Sequence, residues 1–369
     1  MFSLLAAAFG AVIAATNAAA STPHPTTVYT RAHTTVSAFA QDGPLVAWFT
    51  KAPSLKVCNS VHVLSLGNGL QANLPQQARV RNVTCTWQVG GAPIPLAIDS
   101  NANTLWTLRE STPLQYDYLI GAGALPANQN ERRLQQLAHT SKGAGLWLGG
   151  IVGSGNTLAY AVTSVDYQDE AGCLAGTDTC AMKIESGGVY RFDGWHPKLV
   201  YDRAAVALAA SDSAIAIVPT DSVTKGGKPV AGADLPVVVV DATTGSEISS
   251  FSPEGTPVTI ALSEHVLATI ERTPIGTRIA WYNPLTGAAI GSAPVATATA
   301  PELSVSDKYV IFRIGRSIRS IDVATGRIRT IARAASTPVG LSLVGTRLAW
   351  AENLKNGGAR VRALFLASG

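Results

Sequence analysis

Charge is scarce in this chain. Of its 369 residues only 14% are Asp, Glu, Lys or Arg, and 28 basic residues against 24 acidic ones leave a net charge of +4. With no Lys/Arg run longer than two, the electrostatic footprint of a nucleic-acid binder is absent. Disorder is excluded from the other side, because 47% of the residues are hydrophobic. Convincing 3.6-residue periodicity is missing too, and that argues against a helical protein. The sequence also lacks the spacings that usually betray chemistry. No C-x-x-C, H-E-x-x-H, H-x-H or G-x-S-x-G occurs, so zincin, zinc-ribbon and α/β-hydrolase readings fall away. The six histidines (His24, His33, His62, His139, His196 and His265) are scattered over different segments. No catalytic residue is assigned.

What is present begins with an uncharged leader, MFSLLAAAFGAVIAATNAAA. Its apolar stretch, Phe2 to about Ala15, is shorter than the ~20 residues that span a bilayer. It ends in Ala18-Ala19-Ala20, small residues of the kind a signal peptidase reads. The expectation is a signal peptide over 1–20, with a secreted or periplasmic mature chain starting near Ser21 and no membrane insertion. An uncleaved anchor and a buried apolar strand are the alternatives. Four cysteines suit export. Cys173 and Cys180 bracket a short loop that a disulfide can close, leaving Cys58–Cys85 as the second pair; four cysteines allow three pairings. Asn82-Val83-Thr84 is a glycosylation sequon, meaningful in a eukaryotic source.

A turn followed by alternating apolar residues recurs along the chain. It reads QDGPLVAWF (Gln41–Phe49), SNANTLWTL (Ser100–Leu108), GSGNTLAYAV (Gly153–Val162) and SDSAIAIV (Ser211–Val218). It returns in SEHVLATI (Ser263–Ile270), SDKYVIFR (Ser306–Arg313) and LVGTRLAWA (Leu343–Ala351). The separations are roughly 40–60 residues, near the period of propeller blades. A strand–turn–strand unit follows each copy, clearest in VVVVDATTGSEISSF, IAWYNPLTGAAIGSA and IRSIDVATGRIRTIA. Gly245, Gly287 and Gly326 supply the positive φ of hairpin turns, and Asp241, Asn283 and Asp322 are placed to bond the turn backbone.

The pattern predicts an all-β, seven-bladed β-propeller of four-stranded antiparallel blades, a single domain over 21–369. The last unit lacks an outer strand, and Thr26–Ala32 is placed to fill it and close the ring. The D-x-x-T-G hairpins and the repeated strand pattern resemble the YVTN/quinoprotein-like and TolB-like β-propellers of the broad WD40-like superfamily. The Trp that follows a few residues later in quinoprotein blades is absent, Phe251 and Ile331 lying there. The Trp-Asp and Gly-His signatures of true WD40 repeats are absent as well. The resemblance therefore implies a fold and not a cofactor.

Loops between second and third strands share a face with the inter-blade loops, and here several are long: Lys51–Ser60, Asp166–Ser186, Thr220–Pro236 and the inter-blade Pro75–Ala92. Lengthened loops on one face of a repeat fold mark a binding face. Asp166, Asp169, Glu170, Asp178 and Glu185 load the third of these loops. They read as a solvated acidic loop, as a calcium site at Asp166, Asp169, Glu170 and Asp178, or as an acidic patch for a basic partner. Trp87 is the aromatic placed for ligand contact. Trp48, Trp106, Tyr160, Phe312 and Trp350 share one strand position and read as packing between blades. Asp99, Asp212 and Asp307 sit at turns into second strands, where local turn chemistry is expected to account for them. The functional expectation is a binding module for a protein or carbohydrate, without a cofactor apart from structural calcium. The alternative is an extracytoplasmic enzyme, a carbohydrate hydrolase or lyase or a quinone-type oxidoreductase, acting at the propeller axis.

Overall fold

The computed structural model describes residues 24–51, 60–66, 78–80, 95–110, 116–122, 132–137, 143–174, 181–193, 196–232, 235–295 and 302–366. β1 (Thr26–Arg31) is set apart from the strands that follow it in sequence. Sheet 1 holds β2 (Thr35–Asp42), β3 (Leu45–Lys51), β4 (Ser60–Ser65) and β5 (Ala78–Val80). Sheet 2 holds β6 (Leu96–Ile98), β7 (Thr104–Glu110), β8 (Tyr116–Ala122) and β9 (Arg132–Leu137). Sheet 3 is β10 (Gly145–Ser154), β11 (Thr157–Tyr167), β12 (Met182–Asp193) and β13 (His196–Tyr201), with a one-turn helix α1 (Glu170–Leu174) between β11 and β12. Sheet 4 is β14 (Ala205–Ala210), β15 (Ala214–Pro219), β18 (Val237–Asp241) and β19 (Glu247–Phe251). A separate hairpin, β16 (Ser222–Val223) with β17 (Pro229–Val230), rises from it between β15 and β18.

Sheet 5 runs β20 (Thr256–Leu262), β21 (Leu267–Thr273), β22 (Gly276–Tyr282), β23 (Ala289–Pro294); sheet 6 runs β24 (Leu303–Val305), β25 (Tyr309–Ile314), β26 (Ser317–Asp322), β27 (Ile328–Arg333). The last sheet joins β28 (Val339–Val344), β29 (Arg347–Asn353) and β30 (Ala359–Phe365) to β1, which lies antiparallel to β30 with Thr26 opposite Ala363 and Arg31 opposite Ala359. The described strands thus make seven four-stranded antiparallel sheets. Their innermost strands touch in a closed circuit, β2 to β6, β10, β14, β20, β24, β28 and back to β2. This is the all-β propeller arrangement, with the N-terminal strand completing the last sheet.

Each second strand is buried on both faces, and that explains its sequence. In β15 every residue is buried. Ile215 and Ile217 pack with sheet 3 residues such as Ala161 and Val189, while Ala214, Ala216 and Val218 join sheet 5 residues such as Leu267 and Tyr282. Alternation here selects between two neighbours, not between core and solvent. The recurring aromatic position is core, as the repetition implied: Trp48, Trp106, Tyr160, Phe312 and Trp350 are all under 2% exposed. Trp48 packs between sheets 1 and 7 and Phe312 between sheets 5 and 6. Register shifts recur in the pairing of third with outer strands, at Leu119/Ile120, Val239/Val240, Trp281/Tyr282 and Ile318/Arg319. Such bulges add local twist where the sheets fan outward.

Two elements were not expected from the sequence. Helix α1 is five residues long, too short for periodicity to register. The β16–β17 hairpin falls inside a segment read as a plain loop; Thr220 Oγ1 ties it at the base by donating to Val230 O.

Candidate functional site

On the long-loop face the described part of the third loop has local structure of its own. Asp169 Oδ1 accepts from Gly172 N at 3.1 Å, and Asp169 O accepts from Cys173 N, so Asp169 caps α1. Asp166 Oδ1 accepts from Tyr167 N at 2.8 Å, and Glu185 Oε2 accepts from Ser164 Oγ across the strand pair at 3.1 Å. Glu170 opens α1 and is exposed. Each carboxylate thus has a position of its own, and the described residues contain no group of three or more His, Cys, Asp or Glu that could hold a metal ion. Cys173 is fully buried and disulfide-bonded. Trp87, Asp178, Cys58, Cys85, Cys180, Asn82 and the leader over 1–20 lie outside the described residues.

Two glutamates on second strands, neither singled out by sequence, hold the incoming connections on this side. Glu271 is fully buried in β21 and accepts from Thr269 Oγ1 (2.6 Å), Tyr282 OH (2.6 Å), Arg278 Nε (2.8 Å) and Gly255 N (3.2 Å). Glu352, fully buried in β29, accepts from Arg360 Nε at 2.8 Å and from Ala335 N at 2.5 Å. Gly255 and Ala335 both lie just before a sheet's innermost strand, so each glutamate fastens that entry to its own sheet. Burial and Glu271 together push the Tyr282 phenol up.

The opposite face is made of hairpin turns. In the D-x-x-T-G turn after β18, Asp241 Oδ1 accepts from Thr243 N (3.0 Å), Thr244 N (2.7 Å) and Thr244 Oγ1 (2.8 Å). These bonds hold the Asp241 carboxyl below its usual range. Asn283 and Asp322 do the same at the next two turns. Gly245 has φ of 81°, and a Cβ there would fall 2.6 Å from Val200 O. These turns match the sequence reading.

The turns between first and second strands do more than the sequence suggested. Their recurring Ser-Asp or Ser-Glu pair divides two tasks. The serine secures its own turn: Ser211, Ser263 and Ser306 Oγ accept from Ala214, Val266 and Tyr309 N at 3.2, 3.1 and 3.3 Å. The acid reaches back to the preceding sheet. Asp212 accepts from Ser154 Oγ (3.1 Å), Glu264 from Ser213 N (3.2 Å) and Ser213 Oγ (2.6 Å), and Asp307 from His265 N (3.2 Å). In sheet 3 Asn156 takes the acid's place, accepting from Ser100 Oγ and Asn101 Nδ2. The expectation that turn chemistry accounts for Asp99, Asp212 and Asp307 therefore needs correction. It holds for Asp99, which accepts from Asn101 N, Asn103 N and Asn103 Nδ2. It fails for Asp212 and Asp307, whose exposed carboxylates find donors on a neighbouring sheet.

Inside this ring the axis opens as a mouth of about 490 Å³ and continues into a channel of about 290 Å³ between the innermost strands. Asp42, at the end of β2, lines both. It is 5% exposed, and its Oδ2 has no hydrogen-bond partner among the described residues. Burial pushes its pKa up to about 6; Asp212 and Asp99 add to the rise, while the N–H groups of Gly155 and Gly43 oppose it. Gly155 is required at this spot: its φ is 52°, and a Cβ would fall 2.3 Å from Asp212 Oδ1. Sequence reasoning missed Asp42 because its neighbours come from turns more than fifty residues away in sequence.

No family model matches the chain, and no curated protein matches it in sequence. Solved structures do share its architecture. The β-propeller domain of the Trilobed protease from Pyrococcus furiosus, described as having an open velcro topology, aligns at TM-score 0.51 and 10% identity over 91% of this chain and 94% of that one. The WD40 domain of Toxoplasma gondii coronin aligns at 0.47 and 9% identity, covering 94% and 88%. BamB from Moraxella catarrhalis aligns at 0.44 and 11% identity, covering 92% and 99%. The architecture shared with the first of these is that of a β-propeller.

Proposed function

We propose that this seven-bladed ring is an extracytoplasmic binding module, which holds a protein or carbohydrate partner on its long-loop face across sheets 1 to 4. One observation carries the reading, the uneven length of the connections between second and third strands. In sheets 1, 3 and 4 they are long, running from Lys51 to Ser60, Tyr167 to Met182 and Pro219 to Val237; in sheets 2 and 7 they run from Glu110 to Tyr116 and Asn353 to Ala359, and in sheets 5 and 6 only from Thr273 to Gly276 and Ile314 to Ser317. A rigid ring with long segments gathered on one arc offers a shaped surface at low cost to the scaffold. The proposed site comprises Trp87, Asp166, Asp169, Glu170 and Asp178, stapled by Cys58–Cys85 and Cys173–Cys180, with calcium at the four carboxylates as a supporting ion. Export behind the leader over 1–20 completes the proposal.

The test uses the mature chain from Ser21 on a glycan array and in affinity capture from extracellular fractions. A partner found this way must be lost when residues 221–235 are replaced by a two-residue turn, or when Trp87, Asp169 and Glu170 become Ala, with circular dichroism unchanged. Retained binding in both variants sinks the face assignment.

Axial hydrolysis is the second reading, and the carboxylate-lined mouth is the observation that favours it. It ranks below because Asp99 holds its own turn and Asp212, Glu264 and Asp307 hold neighbouring sheets, whereas a hydrolase needs two carboxyl groups facing one bond. Turnover of an oligosaccharide panel, abolished by Asp42→Asn, would reverse that order.

A further inference from the structure

We propose that the axial mouth on the turn face binds a small organic cation, its ammonium or guanidinium group seated on Asp42. This site is independent of the partner surface on the opposite face.

The charge distribution is the first support. In a chain of net charge +4, the described lining of this mouth gathers Asp42, Asp212, Glu264 and Asp307 against Lys308. A concave site lined by one sign focuses the field and attracts the opposite charge. The second support is independent of the first. Asp212, Glu264 and Asp307 already accept hydrogen bonds from the preceding sheet, but Asp42 carries a buried Oδ2 with no partner among the described residues. An unsatisfied buried acceptor destabilises the fold, and a cationic donor removes that cost. The Asp42 turn carries Gly43-Pro44 where sheets 4 to 6 carry the Ser-acid pair.

Size and ligand chemistry then select the cation. A mouth of about 490 Å³ lies in the range of small-molecule sites. A divalent metal ion needs several hard ligands converging at fixed distance, and the described residues offer no such group. An ammonium or guanidinium needs only one carboxylate and nearby neutral acceptors, which the serine hydroxyls of the mouth supply.

Agmatine is the probe, with pentan-1-ol as its neutral counterpart, titrated into the full mature chain by saturation-transfer NMR. Saturable agmatine binding, absent for pentan-1-ol, is expected at pH 7.5. Asp42→Asn should weaken it at least tenfold, and Glu247→Gln, on the outer rim, should not. Lowering the pH to 5 should weaken it about tenfold in the wild type, as Asp42 takes up its proton. The groups facing Asp42 are the carboxylates of Asp99 and Asp212, with Glu264, Asp307 and Lys308 around the mouth and Arg347, which donates to Gly43 O. The Asp42 pKa of about 6 lies within that interval, and burial raises that of Asp99 as well. Three results overturn the proposal: no agmatine binding at 10 mM, agmatine binding indifferent to both Asp42→Asn and pH, or saturable calcium binding dependent on Asp42 without agmatine binding. The pH arm needs no variant, so a folding defect cannot mask the answer.

Discussion

Asp42 illustrates how one side chain can be a liability for the fold and an opportunity for binding. Its pKa of about 6 in the folded chain lies above the ~3.9 of an exposed aspartate. Between those values the folded state holds a proton that the unfolded state has released, so stability falls as pH rises from about 4 to 6. Asp42→Asn should therefore raise stability at pH 7, by at most about 3 kcal/mol, and leave it unchanged near pH 4. Urea melts at the two pH values check the sign. Glu271 is the opposite case. Replacing it with Ala strands Tyr282 OH and Gly255 N and leaves Arg278 with Glu254 alone, and loss of a buried ion-pair partner costs about 3–5 kcal/mol. A Glu271→Ala chain as stable as the parent in urea would show that water replaces the whole network.

At the level of elements, legibility follows repetition. The second strands could be read because each copy meets the same environment, a neighbour on both faces, and so repeats the same pattern: Leu-Ala-Tyr, Ile-Ala-Ile, Leu-Ala-Trp. The D-x-x-T-G turns could be read because Asp241 and Asp322 satisfy donors within three residues of themselves. Asp212 and Glu264 could not, since their donors Ser154 and Ser213 lie 58 and 51 residues away. Sequence showed the Ser-acid pair but not that its two members serve different sheets. The difference is measurable. Glu264→Ala removes two hydrogen bonds to Ser213 and should cost about 1–2 kcal/mol, with faster hydrogen exchange at the Ser213 amide. Ser263→Ala should instead release Val266 N, on the variant's own turn. Equal exchange patterns in the two variants would contradict this division of labour.

The whole molecule is held at the seam between its first and last sheets. β1 covers the edge of β30, Tyr29 packs 4.7 Å from Trp48, and Arg362 Nη2 donates to Pro25 O at 2.7 Å. Asn353 adds a two-way bridge, accepting from Val36 N at 2.8 Å and donating to Val36 O at 2.9 Å. Deleting the chain through Arg31 exposes the β30 edge, a template for pairing with another copy. The expected outcome is a lower unfolding midpoint together with self-association by analytical ultracentrifugation; an equally stable monomer would mean that the seam bridges suffice alone. The ties between sheets 3 and 6 also have a direction, for each acid grips the sheet made before it. During synthesis each of these sheets therefore meets a finished anchor as it leaves the ribosome, and assembly can keep pace with translation. β1 is the exception, made first and partnered last. Until the final residues emerge it waits beside an incomplete ring, and that interval is when a nascent chain of this kind most needs a chaperone.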